Sequence, residues 1–377
     1  MENKTLFPRS NAWTMAGVWN AALVSKEDRP AQERSRVWAS ELGKPNIEIF
    51  LKMRGVQPTN PPNPRSKRKF EAGNMFEWIV GLVLKRAGIL KENQKWVDYT
   101  YPGLIQVTGK IDFIAGGVPD YEHYRANLEA LELPEFFMTA SKAIVEHFQK
   151  NYPDGLGDLF LEIKSCSSFM MDAMERTQNA SKNHRLQLFH YLKACNFPRG
   201  NIVYICRDDL RMLEIPVINS TDNPEMASVE SEYKEAIEQI STFYTAHKNT
   251  PLEKFLLKPD TSDELKWKWV QLDGLPTLEP VIVWDKDLKK FSRNWGVEYS
   301  SYLTMLYGFE SQKQFEDAVM PIVARWNRVL GRVKDNAKMT PKNIDVIKEM
   351  QFNGFKVEEL APQYAGGEKE EEEVIPV

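Results

Sequence analysis

LFLEIKS, residues 159–165, is the stretch on which the fold turns. A strand sends successive side chains to opposite faces, so Phe160, Glu162 and Lys164 share one face while Leu161 and Ile163 take the other. A strand of this kind buries both faces. A carboxylate beside an ammonium is then expensive unless something occupies the space between them.

A partner strand lies upstream in IQVTGKIDFIAGG (105–117), where Ile105, Val107, Ile111 and Phe113 alternate with Gln106, Thr108, Lys110 and Asp112. If the two strands are neighbours, Asp112 and Glu162 meet at one point with Lys164 beside them. Two carboxylates at that spacing repel, and a divalent cation removes the repulsion. All-oxygen ligands at a half-open site suit Mg²⁺, or Mn²⁺ in its place, rather than zinc. Such a site suits phosphodiester hydrolysis: the metal polarises the phosphoryl group and lowers the pKa of a water. Lys164 then orients that water or offsets charge in the transition state.

Working outward, a helix is expected at about 181–195, a hairpin from 201–208 and 211–217 across Asp208-Asp209, and a helix over 226–248. Upstream, the first 60 residues read as helices (NAWTMAGVWNAALV and PNIEIFLKMRGV), and QPTNPPNP (57–64) must be a loop. The basic run Arg65-Ser66-Lys67-Arg68-Lys69 leads into a helix over about 70–88 with Phe76, Ile79, Val80, Val83 and Leu84 as its apolar stripe. VDYTYPG (97–103) reads as an edge strand, and about 120–151 as an insertion. In the last third, Phe315, Val319, Ile322, Val323, Trp326 and Leu330 line an amphipathic helix over about 312–334, and the tryptophans of 267–295 read as core. The expected division is an N-terminal helical segment (1–29), an α/β core (30–250), a mostly helical C-terminal extension (251–360) and an acidic disordered tail (361–377).

The order Gly109-Lys110-Ile111-Asp112, Glu162-Ile163-Lys164, Gln187-Leu188-Phe189-His190-Tyr191 resembles the PD-(D/E)XK nuclease superfamily, in its RecB-like and phage-type exonuclease branch. That family carries a G-x-x-D strand, an E-x-K strand and a following Q-x-x-x-Y helix. Gly73-x-x-x-Glu77 resembles its G-x-x-x-E motif, whose glutamate is a further metal ligand. The resemblance spans roughly residues 33–215. It implies a mixed central β-sheet flanked by helices, the restriction-endonuclease-like core, and Mg²⁺-dependent cleavage of DNA. It implies catalytic roles for Asp112, Glu162, Lys164, Gln187 and Tyr191, and metal ligation by Glu77, Asp112 and Glu162. Residues 187 and 191 share a helix face, with His184 a turn earlier.

Arg65, Lys67, Arg68 and Lys69 read either as a solvated loop or as phosphate contacts, and their entry into the Glu77 helix favours contacts. His184 and His190 read as structural. Some relatives hold an iron–sulfur cluster through four cysteines; Cys166, Cys195 and Cys206 cannot supply that set, and no cluster is expected. Three cysteines without metal-ligand spacing suit free thiols in a reducing compartment, with Cys166 a small buried residue.

The formal charge of −4 neither supports nor excludes DNA. The tail carries five glutamates and one lysine, which leaves 48 basic against 48 acidic residues in the rest. Passing DNA contact needs a local basic groove, not a basic whole. No apolar run approaches the roughly 20 residues that span a bilayer, and no signal-peptide core is seen, so a cytoplasmic location, bacterial or host, is expected. The function that follows is exonucleolytic DNA cleavage in recombination, repair or replication of a phage or bacterium, with a protein partner from that machinery. An endonuclease of the same superfamily, or a non-catalytic DNA binder retaining the fold, is the alternative.

Overall fold

The central strand β3 (Val107–Gly117) has partners along both edges. One edge pairs antiparallel with β2 (Leu90–Tyr99) from Val107 to Ala115. The other is shared: β1 (Val37–Trp38) runs parallel to Val107 and Thr108, and β4 (Leu156–Cys166) pairs antiparallel from Phe113 onward. Between them β3 has no strand partner on that edge over residues 109–112, among the described residues. The sheet forks there.

In this computed structural model the described residues are 30–117, 142–219 except 144, 145 and 148, 224–252, 279–335 except 287, and 337–360. The expectations for the N-terminal segment, most of the insertion, Trp267, Trp269 and the acidic tail lie outside them. The chain divides into two units. The first holds the six-stranded sheet, ordered β1-β3-β4-β5-β6 with β2 on the free edge of β3. β4 runs parallel to β5 (Arg199–Cys206), which forms the expected hairpin with β6 (Met212–Ile218). Parallel neighbours need a crossover, here through α3 (Ser168–Thr177) and α4 (Lys182–Ala194). The sheet is therefore mixed, and it is flanked by helices as expected.

Helix α2 (Pro64–Arg86) packs on the face that carries Phe113, Leu161, Ile163, Val203 and Ile205. Leu84 is buried in that cluster, with Phe76 and Val80 against it. Gly81 sits so close to Phe113 that a Cβ would lie 2.9 Å from the ring, which is why a glycine occupies the crossing. Helix α4 lies on the opposite face, with Leu188 against Gly200, the register partner of Phe160. Both faces of β4 are thereby covered, and Glu162 is buried among its apolar neighbours. Each fully buried core side chain contributes about 1.5–3 kcal/mol. Helix α5 (Pro224–His247) meets the expected 226–248 span.

Several local expectations differ. Residues 37–41 form a short strand and a 3₁₀ turn, not helix; α1 (Asn46–Met53) is the helix found there. Helix α2 starts at Pro64, capped by Asn63 Oδ1 accepting from Ser66 N–H, so the basic run lies in its first turns and not in a loop. Ile79 and Val83 are exposed, and the inward stripe is Phe76, Val80, Gly81 and Leu84. Strand β2 starts at Leu90, earlier than expected, and ends at Tyr99, which pairs with Val107, the first residue of β3, so only 97–99 of the expected edge strand are strand.

The second unit has its own core. β7 (Ile282–Asp285) and β8 (Lys290–Arg293) form a hairpin, followed by the short helices α6 (Trp295–Glu298) and α7 (Leu303–Tyr307). The long α8 (Gln312–Lys334) buries Phe315, Val319, Val323, Trp326 and Leu330, as its spacing predicts. α9 (Pro341–Phe352) and α10 (Val357–Leu360) complete it. Trp284 packs partly buried on this core. Trp295 is not core: it is exposed, stacked on Tyr299 with Arg293 over its ring. Among the described residues no helix is long and apolar enough to cross a membrane.

Candidate active site

The fork in the sheet is where the expected residues converge. The ladder between β3 and β4 stops at Phe113–Leu161. One residue further, the same register sets Asp112 across from Glu162. Instead of another strand bond, the Ile163 N–H donates to Asp112 Oδ2 at 2.8 Å. A side-chain carboxylate thus replaces a backbone carbonyl, and the strands are free to part.

Burial, and then the nearby charge of Glu162, pushes the Asp112 carboxyl well above the ordinary carboxylate range. Burial likewise raises Glu162, against the pull of Lys164. Lys164 Nζ donates to Glu162 Oε1 at 2.5 Å. Desolvation works to lower the lysine, but the charges of Glu162 and Asp112 outweigh it and hold it above its ordinary value. Glu162 Oε2 is buried and has no hydrogen-bond partner among the described residues. An orphaned carboxylate oxygen at 1% residue exposure, beside a second buried carboxylate, is a donor set that fits a hard divalent cation. No three carboxylate, imidazole or thiol groups gather closely enough to cage a cation among the described residues. Asp112 and Glu162 therefore offer a pair, which suits Mg²⁺, an ion that commonly keeps waters and takes substrate phosphate oxygens in the rest of its shell.

Gln187 and Tyr191 lie at the fork beside this pair. Gln187 Nε2 donates to Tyr191 Oη at 2.9 Å, both side chains buried. Tyr191 lies against Gly109, where a Cβ would sit 2.7 Å from the tyrosine ring. The glycine of the G-x-x-D strand and the tyrosine of the Q-x-x-x-Y helix are thus one contact. Burial, with the charge of Glu162 next, pushes the Tyr191 phenol far up, so it stays protonated.

Glu77 comes in from α2 on the other face. Its charge raises both Asp112 and Glu162, but it stands outside the pair. Its Oε1 accepts from Gln94 Nε2 at 2.5 Å. Gln94 was not legible as a site residue. Between Asn93↔Phe113 and Lys95↔Ile111 it occupies the position across from Asp112, and the pleat would send it to Asp112's face. Its φ is +53°, a left-handed conformation few side chains adopt. The side chain instead meets Glu77.

Tyr204, the register partner of Lys164, is a second residue missed. It bonds His184 Nδ1 at 2.8 Å. Burial, and then the charges of Lys164 and Lys44, lower His184 to about 3, so its imidazole is neutral near pH 7. His190 is buried against Tyr233 and lowered by burial to about 4. Cys166 is buried, and burial raises its thiol to about 11. Arg65, Lys67, Arg68 and Lys69 occupy the first turns of α2; Lys69 is two turns ahead of Glu77, roughly 12 Å along the axis.

No family model matches the chain, and no curated protein matches it. Solved structures align with it, among them the following three. The structure of SSO0001 does so at a TM-score of 0.35 and 13% identity, over 64% of this chain and 95% of that one. An alkaline exonuclease from Laribacter hongkongensis, LHK-Exo, aligns at 0.33 and 12%, over 61% and 95%. LHK-Exo in complex with dAMP aligns at 0.32 and 12%, over 62% and 99%. At these scores the likeness is one of loose shape and assigns no activity.

Proposed function

We propose that the chain is a Mg²⁺-dependent DNA nuclease of the PD-(D/E)XK type, acting as an exonuclease. The observation that carries this reading is the buried, unpartnered Glu162 Oε2 beside Asp112, with Lys164 bonded to the other oxygen. A bound Mg²⁺ supplies Lewis-acid polarisation of the phosphoryl group and an acidified water. Asp112 and Glu162 would hold the ion, and Glu77, which the family resemblance makes a further ligand, would complete its protein donors. The Ile163 N–H fixes Asp112, and Lys164 fixes Glu162 while keeping its own proton, so a cation faces the charge that develops on the phosphate. Gln187 and Tyr191 pack at the fork beside the pair, along one wall of a cavity of about 320 Å³.

The DNA reading has a second support. Helix N-termini carry partial positive charge and favour acidic residues, yet the first turns of α2 hold Arg65, Lys67, Arg68 and Lys69, and no acidic residue lies in its first turn. A local electrostatic cost of this kind is repaid when phosphates bind there. The wider role in recombination, repair or replication rests on the family resemblance.

The test is an end-labelled linear duplex beside a covalently closed circle, in Mg²⁺ with an EDTA control. The linear DNA alone should release nucleotides, and EDTA should stop it. Cutting of the circle moves the assignment to an endonuclease. Retention of DNA without any product in Mg²⁺ or Mn²⁺ moves it to a non-catalytic binder.

A further inference from the structure

Arg207 follows the last residue of β5, beside the strand that carries Glu162 and Lys164. Its backbone N–H donates to the Cys166 carbonyl at 2.9 Å, which extends the β4–β5 pairing by one step. Its Nη1 donates to both the carbonyl and the Oγ of Ser165, each at 3.2 Å. Ser165 directly follows Lys164, and its Oγ faces Gly73 of α2, where a Cβ would lie 3.3 Å away. Gly73 stands one turn ahead of Glu77, roughly 6 Å along the helix axis.

The fold does not neutralise this arginine. Partly buried Arg34, Arg185, Arg211 and Arg293 each meet a carboxylate, and Arg211, four residues from Arg207, meets three. Arg207 is also partly buried and meets none among the described residues; the carboxylate of Asp208 accepts from the Ser168 N–H instead. Because Nη1 takes both Ser165 acceptors, the guanidinium plane is fixed, and Nε and Nη2 have no partner among the described residues. Two adjacent donors on an oriented guanidinium match two oxygens of a phosphate.

We propose that Arg207 binds the backbone phosphate next to the scissile one, and that Ser165 fixes where that phosphate lies. The inference rests on the nuclease reading above. Its link to the carboxylate pair is covalent: Glu162, Lys164 and Ser165 belong to one strand, so the group that grips the substrate is pinned to the strand that carries the site. Lys69, one turn ahead of Gly73 on the same side of α2, continues the cationic track away from the cut. Contacts of this kind set the register of a nucleic acid and carry no base information. The substrate class that follows is DNA of any sequence, gripped by its backbone.

Salt dependence reads such a contact directly, because each phosphate neutralised on a duplex contributes about 0.9 to the slope of log K against log salt. Full-length protein is titrated in EDTA with a fluorescein-labelled duplex over a range of salt. Arg207→Gln should weaken binding on every sequence alike and lower the slope by about one contact, and Arg207→Lys should recover the slope. Arg199→Gln removes the same charge at the opposite end of β5 and should leave the slope as it is. In Mg²⁺, strands carrying one neutral methylphosphonate on either side of the cleaved bond locate the contact. One of the two positions should raise the wild-type KM on the order of tenfold or more, and Arg207→Gln should not distinguish that strand from the unmodified one. A wild-type slope in Arg207→Gln, an equal fall in Arg199→Gln, or a wild-type KM indifferent to both methylphosphonates overturns the contact. If no strand is cut in Mg²⁺ while the slope still falls in Arg207→Gln alone, the nuclease reading fails by itself and the phosphate contact stands. Circular dichroism of each variant separates loss of the contact from loss of the fold.

Discussion

Asp112 Oδ2 accepts the backbone N–H of Ile163, the peptide that leaves Glu162, at 2.8 Å. One bond therefore sets the spacing of two carboxylates and ends a strand ladder at the same point. Without a cation the arrangement is unfavourable, because both groups are raised by burial and Asp112 is raised further by the charge of Glu162. The site is held together by the surrounding sheet and not by its own electrostatics.

Asp112→Asn should separate stability from activity. Cleavage in Mg²⁺ should fall by on the order of 10²–10³ or more, while the variant in EDTA melts at or above the wild-type temperature at pH 7, since a buried charge is gone. The pH dependence has a definite sign. The folded carboxyls are raised above their unfolded values, so their stabilising contribution is full below about pH 4 and is lost as pH rises through the folded pKa. Wild-type melting temperature in EDTA should therefore fall with rising pH more steeply than that of Asp112→Asn. Mg²⁺ should restore more of it at higher pH, because the ion binds the deprotonated pair. Parallel melting curves across pH 4–8 for the two proteins would sink this account.

Lys164→Ala should cost both. Glu162 is buried, and loss of its partner leaves its second oxygen unbonded as well. Breaking a buried pair from one side costs about 3 kcal/mol, less the relief from the lysine's own partial exposure. The double variant Lys164→Ala/Glu162→Gln should recover most of that stability in denaturant titration and none of the nuclease activity. A single variant as stable as wild type would show that Glu162 is protonated without its partner.

The buried carboxylate pair was legible because of period-two alternation in both strands: Glu162 and Lys164 share a face, and Asp112 ends a polar face. The span of α8 was legible for the analogous reason at helical period. Only the end of β2, residues 97–99 of the expected edge strand, was legible, since LKENQKWVDY has little alternation and an edge strand needs little. Ile79 and Val83 were misplaced because Gly73 and Gly81, not the bulkiest residues, mark the side of α2 that crosses the sheet. Trp295 was misplaced because composition does not distinguish a buried indole from one stacked on an exposed tyrosine. Gln94 had no signal at all. Its side chain leaves the face its position assigns, through a backbone angle that no spacing rule encodes.

That angle makes Gln94→Gly the most discriminating substitution. At φ +53° glycine relieves roughly 1 kcal/mol of backbone strain, partly offset by the freedom it adds to the unfolded chain. Stability should therefore hold or rise by less than about 1 kcal/mol. Glu77 at the same time loses the amide that orients its carboxylate. Removing such an orienting partner typically weakens metal affinity by about 10- to 100-fold. Titration calorimetry with Mn²⁺ should show that loss in Gln94→Gly and equally in Gln94→Asn, whose side chain tolerates the left-handed backbone but is one methylene too short to reach Glu77. Unchanged Mn²⁺ affinity in both would mean that the Gln94 amide does not position Glu77 for the cation.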